Sequence, residues 1–144
     1  MTQNSTTDGQ RIIPYLYYEN GPAALEYLCR AYGFEERFRV AMPDGVIMHA
    51  EVGYQGHTVM LGTPVDEDGK PQKCLRDLPR RPSSVMCYVD DVDAHYAHAK
   101  NSGAEIIAEL EDKPYGDRLY ATADPEGHHW YFATRVRNAS DAET

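Results

Sequence analysis

Residues 83–105 read SSVMCYVDDVDAHYAHAKNSGAE. The stretch opens as a strand, with Val85, Cys87 and Val89 alternating against Ser84, Met86 and Tyr88. Asp90 and Asp91 follow, where a carboxylate accepts hydrogen bonds from the unpaired N–H groups of a helix start. VDAHYAHAKNS supplies the helix. Gly103 ends it, because glycine takes the left-handed conformation of a helix stop without steric cost.

The same punctuation occurs upstream. In 11–35 a strand (RIIPYLYYE) leads to a cap at Asn20, Pro22 just inside a helix (AALEYLCRAY), and Gly33 as the stop. A shift of 70 without a gap places Tyr18 on Tyr88, Ala24 on Ala94, Gly33 on Gly103 and Glu35 on Glu105. With one inserted residue, GHTVMLG (56–62) falls on GHHWYFA (127–133). The fold expected is α+β: two tandem β-α-β-β-β modules, 11–62 and 83–136, with curved mixed sheets and helices on the outer face. Together they make one domain, 11–136. The Pro- and charge-rich stretch 63–82 reads as a linker, and the polar ends 1–10 and 137–144 as mobile tails.

The 144 residues suffice for one domain with a core of its own. A formal net charge of -9 speaks against nucleic acid, whose phosphates call for a basic stripe, and leaves either a cationic ligand or an ordinary acidic surface. Three cysteines (Cys29, Cys74 and Cys87) cannot all be bridged, which points to a reducing compartment, by default the cytoplasm. No apolar run approaches the roughly 20 residues of a membrane span. Eleven tyrosines against three phenylalanines favour surfaces that are apolar in body and wet at the tip.

Period-two alternation sorts the strands further. In GVIMHAEVG, Val46, Met48, Ala50 and Val52 form the apolar face expected under the helices, with Ile47, His49 and Glu51 opposite. In RLYATAD, Leu119, Ala121 and Ala123 read as core and Arg118, Tyr120 and Thr122 as opposite; in HHWYFA, Trp130 and Phe132 read as core and His129 and Tyr131 as opposite. The second face is too polar for a core and too aromatic for open water, which suits a ligand cup.

The paired modules, YVDDVDAHYAHAKNSGAE, PYGDR (114–118) and DPEGHHWYFA (124–133) resemble the glyoxalase/bleomycin-resistance/extradiol-dioxygenase, or vicinal oxygen chelate, superfamily. The resemblance covers about 11–136, and the bacterial glyoxalase-like and bleomycin-resistance-like subgroup is the nearest in flavour. It implies the fold but not the reaction, because one fold hosts many chemistries. It also implies homodimers that often exchange modules. In metal-using members each module gives one ligand from its first strand and one from its last. Those places fall here at Pro14, Ser84, Met60 and Tyr131, a poor set for a divalent metal, so no metal and no other cofactor is expected.

His49 and Glu51 lie two apart on one strand, about 7 Å apart on one face. A histidine beside a carboxylate suits general acid–base work, contact with a ligand, or a merely structural bond. Ligand-lining candidates are Tyr18, Ile47, His49, Met60, Met86, Tyr88, Arg118, Tyr120, His129 and Tyr131. Arg118 reads equally as a fork for an anion or as a salt bridge to Asp117 or Asp124. His129 belongs at the rim, His128 shares a structural turn with its counterpart His57, and His95 and His98 share a helix face.

Two functions follow from this reading. One is a binding protein that sequesters an aromatic or cationic, drug-like molecule in a dimer cup without metal. The other is a glyoxalase-like lyase, isomerase or transferase acting through His49 and Glu51, with or without a divalent metal. A degenerate, partner-binding module is a third.

Overall fold

The computed structural model describes residues 9–65, 67–70 and 83–136. The chain divides into two compact units, Met1–Asp77 and Leu78–Thr144, each built around one β-α-β-β-β module. Cys74 and most of the linker lie outside the described residues, as do 1–8 and 137–144.

In the first unit, β1 (Tyr15–Tyr17), α1 (Gly21–Tyr32), β2 (Glu35–Ala41), β3 (Ile47–Tyr54) and β4 (His57–Gly62) follow in that order. The sheet runs β1-β4-β3-β2, with β1 parallel to β4 and the other pairs antiparallel. In the second, β5 (Ser84–Tyr88), α2 (Val92–Asn101), β6 (Glu105–Asp112), β7 (Asp117–Ala123) and β8 (His129–Arg135) repeat the plan as β5-β8-β7-β6. The α+β class and the two similar modules are as the punctuation implies.

The caps act as their chemistry requires. Asn20 Oδ1 accepts from Ala23 N at 3.1 Å, and Asp91 Oδ1 from Ala94 N at 3.1 Å. Gly33 sits at φ +83° and Gly103 at +94°, a region costly for any residue with a Cβ. The two caps are 71 residues apart and the two glycines 70, so α2 is shorter than α1.

Helix α1 buries Ala24, Leu25, Tyr27, Leu28, Ala31 and Tyr32. Its first residue, Gly21, lies so close to β3 that a Cβ there would stand 2.5 Å from Ile47 Cγ1. Ile47 is 0% exposed and has nowhere to retreat. Gly21→Ala is therefore expected to cost about 1–3 kcal/mol by overpacking. A thermal melt of the variant checks this; an unchanged midpoint would contradict the close approach.

Two orientations inferred from alternation are corrected here. Ile47 belongs to the core beneath α1, and Met48 is the exposed residue at 56%. The cause is a bulge: Val40 pairs with His49 but Ala41 with Ile47, so Met48 is extra and the parity of β3 flips there. On β7, Tyr120 pairs with Phe132 and its hydroxyl meets His95 Nδ1 of α2 at 2.7 Å. Arg118, Tyr120 and Thr122 thus lie on the helix side, and Leu119, Ala121 and Ala123 on the other. All but Arg118 of these are buried, so β7 lacks the one wet face that alternation needs.

Candidate functional site

The face of the first sheet turned away from α1 carries the polar chemistry. Glu51 pairs with Met60, and Met60 with Tyr15, so the three side chains share that face with His49. Tyr15 and Tyr17, two apart on β1, place their rings 5.3 Å apart and are 39% and 53% exposed. Phe38 meets the His49 ring edge-on at 6.1 Å.

A hydrogen-bonded chain runs through the face. His49 Nδ1 lies 3.0 Å from the Tyr15 hydroxyl, and His49 Nε2 lies 3.1 Å from Glu51 Oε2. A carboxylate only accepts, so in a neutral imidazole Nε2 bears the proton and Nδ1 accepts from the Tyr15 O–H. The Glu51 side chain is 5% exposed against 29% for His49, and its other oxygen, Oε1, is buried with no hydrogen-bond partner. Burial pushes the Tyr15 phenol above its ordinary pKa, with Tyr17 and Glu51 adding to the rise, so Tyr15 keeps its proton for His49.

Two glycines shape the site. A Cβ on Gly62 would stand 2.8 Å from the Tyr15 hydroxyl and 2.7 Å from the Met48 carbonyl. On Gly53 it would meet Arg37 Nε at 2.2 Å, so the guanidinium lies flat over β3, two residues beyond Glu51. Arg37 is the extra residue of a second bulge, since Glu36 pairs with Val52 and Phe38 with Glu51.

The second module has no such chain. By the pairings, His49 and Glu51 correspond to Leu119 and Ala121, and Tyr15 to Met86. Met86, Tyr88, His129 and Tyr131 do lie on the face away from α2. There the Tyr88 hydroxyl donates to Asp117 Oδ2 at 2.9 Å, and Arg135 pairs with Asp117 at 2.8 Å.

The first module thus brings the ligand-lining candidates His49 and Met60 together on one face with Glu51, the acid–base partner expected of His49. Four others turn away. Tyr18 is 0% exposed, because Tyr15 and Tyr17 take the face opposite to it. Ile47 and Tyr120 are core, as described. Arg118 is held by Asp93 at 3.0 Å and Asp112 at 3.1 Å, not by Asp117 or Asp124.

The histidines separate as well. His128 is buried while His57 is exposed, and His95 packs 4.2 Å from Phe132 while His98 faces outward. Asp124 organises the DPEGHHWYFA turn by accepting from Glu126 N, His128 N and the Trp130 indole. Burial pushes the Cys87 thiol up to about 11, which leaves it a poor nucleophile.

Tyr15, Tyr17, Arg37 and Phe38 were missed by sequence reasoning. A shift of 71 in place of 70 aligns Tyr15 with Met86 and Tyr17 with Tyr88, and the Asn20 and Asp91 caps carry that signal.

The same register bears on a metal. Opposite Met60 and Tyr131 stand Tyr15 and Met86; Pro14 precedes β1 and Ser84 lies opposite His129. Phenols and thioethers do not fit a divalent metal of the kind metal-using relatives hold. Both His49 nitrogens are engaged, and among the described residues no three His, Cys, Asp or Glu side chains cluster as a metal site would need.

Residues 11–132 match the model of the Glyoxalase/Bleomycin resistance protein/Dioxygenase superfamily. An uncharacterized protein of Mycobacterium bovis is 35% identical over 133 residues, 88% of this chain and 84% of its own. Among solved structures, TioX from Micromonospora sp. ML1 is 32% identical with a TM-score of 0.67, over 87% of this chain and 95% of that one. The fosfomycin resistance protein FosX from Listeria monocytogenes, 13% identical with a TM-score of 0.63 over 86% of this chain and 91% of its own, shares the fold.

Proposed function

The chain belongs to the glyoxalase/bleomycin resistance protein/dioxygenase superfamily, and from that premise we propose that it is a small-molecule-binding protein whose first module sequesters an aromatic or cationic, drug-like ligand without metal. One observation carries the reading: exposed Tyr15 and Tyr17 rings stand beside a buried carboxylate wired to the surface through His49. Aromatic faces bind planar rings, and the Glu51 charge favours a cationic or donor-bearing one.

The second module supports the reading as an internal comparison. It builds the same sheet with Leu119 and Ala121 in place of His49 and Glu51, so the fold does not require the polar chain. That chain also favours a second reading, acid–base chemistry on the bound molecule.

A thermal-shift screen of chelator-treated protein against aromatic and cationic aromatic compounds tests the proposal. A ligand present at about 100 times its Kd adds about 2.7 kcal/mol, an upward shift in Tm of several degrees. Stabilisation only after a divalent metal is added would overturn the metal-free part, and no stabilisation by any compound would overturn the rest.

The same proposal places the protein in the cytoplasm as a homodimer. Free thiols at Cys29 and Cys87 support a reducing compartment, and no described helix is long and apolar enough to cross a membrane. The sheets end in edge strands β1 and β2, and β5 and β6, which natural proteins tend to cover. Gel filtration should give a particle of twice the 16.2 kDa chain; a monomer would contradict it.

A further inference from the structure

We propose that Tyr15 is the proton-accepting end of a relay through His49 to Glu51, and that it serves an aromatic ligand with an ionisable hydroxyl. The inference rests on the ligand reading above and adds a ligand class and a chemical step to it.

The direction of the chain is the starting point. With the imidazole neutral, Glu51 fixes the proton on Nε2, so Nδ1 draws the Tyr15 proton inward. Tyr15 is 39% exposed, and with its proton committed to Nδ1 its oxygen has only lone pairs to offer a ligand. A ligand reaching that oxygen must donate. Tyr17 and Phe38 offer ring faces and edges on the same side, which selects an aromatic donor.

The step balances without a co-reactant. The ligand O–H bond breaks heterolytically and the electron pair stays on the ligand oxygen. Its proton passes to the Tyr15 oxygen as the Tyr15 proton passes to His49 Nδ1. The imidazolium so formed is paired with the Glu51 carboxylate, which is the function of a buried carboxylate behind a histidine. Facing the relay are Tyr17 from β1 and neutral Met60 from β4; the Arg37 guanidinium of β2 lies beyond its Glu51 end, over Gly53, and pairs with Glu35 at 3.7 Å.

The probe is 4-nitrophenol, whose neutral and anionic forms absorb differently. In saturating native protein it should ionise at a proton concentration about tenfold higher than in buffer. Tyr15→Phe, which keeps the stacking ring, should bind it and lose that shift. Imidazole nitrogen NMR should show His49 protonated at Nε2 alone in the free protein.

Binding with an unshifted titration, a shift that survives Tyr15→Phe, or a proton on Nδ1 would each overturn the relay while leaving the ligand reading intact. Failure of the probe to bind, where other aromatic compounds stabilise the protein, would overturn the ligand class. Failure of every compound would overturn both readings.

Discussion

Asp124→Ala should destabilise the second unit by about 3–5 kcal/mol, a large share of the 5–15 kcal/mol that holds an ordinary domain folded. Asp124 is 3% exposed and serves three donors at once. Oδ1 accepts from Glu126 N at 3.1 Å and His128 N at 3.0 Å, and Oδ2 from Trp130 Nε1 at 3.1 Å. Trp130 is 0% exposed, so no water replaces the lost acceptor. Each buried donor deprived of its partner costs about 1–3 kcal/mol. Asp124→Asn keeps one oxygen acceptor and should lose less. Urea denaturation followed by Trp130 fluorescence reads the result: a fall in midpoint at constant slope is expected, and an unchanged midpoint would contradict the turn's dependence on Asp124.

The second large effect separates stability from binding. His49→Leu leaves the Glu51 carboxylate buried at 5% exposure without its one hydrogen bond, which should cost about 3–5 kcal/mol. The double variant His49→Leu, Glu51→Ala writes the Leu119 and Ala121 pair of the second module into the first. It should regain native stability or exceed it, because replacing both partners of a buried hydrogen bond by apolar groups is nearly neutral or favourable. Ligand affinity should nevertheless stay about tenfold or more below native, since stacking survives and the polar anchor does not. A double variant as unstable as the single one would show that the chain is structural.

How much of this was legible in the sequence follows from which signals are local. Asn20, Gly33, Asp91 and Gly103 act through their own side chain or φ, and they fixed both helices and the repeat. Trp130 and Phe132 are core as read. His49 and Glu51 were assigned to the face that they occupy because both follow the bulge at Met48, and Ile47 was misplaced because it precedes it. A bulge adds a residue without altering composition, so alternation carries no mark of it. Tyr18 was chosen over Tyr15 and Tyr17 because an ungapped shift of 70 was carried from the helix stops back into β1, where the pairings require 71. Tyr120 was misjudged for another reason: beside Ala121 and Ala123 its polar tip outweighed a ring that fills the core and hydrogen-bonds to His95.

The central claim is that the first module's face away from α1 binds an aromatic ligand without metal. Aromatic proton–carbon NMR of chelator-treated protein, titrated with 4-nitrophenol, tests it most directly. The account predicts saturable shifts of the Tyr15, Tyr17 and His49 ring signals, with no change on adding zinc or manganese. Shifts confined to residues outside that face, or shifts that require the metal, would contradict it.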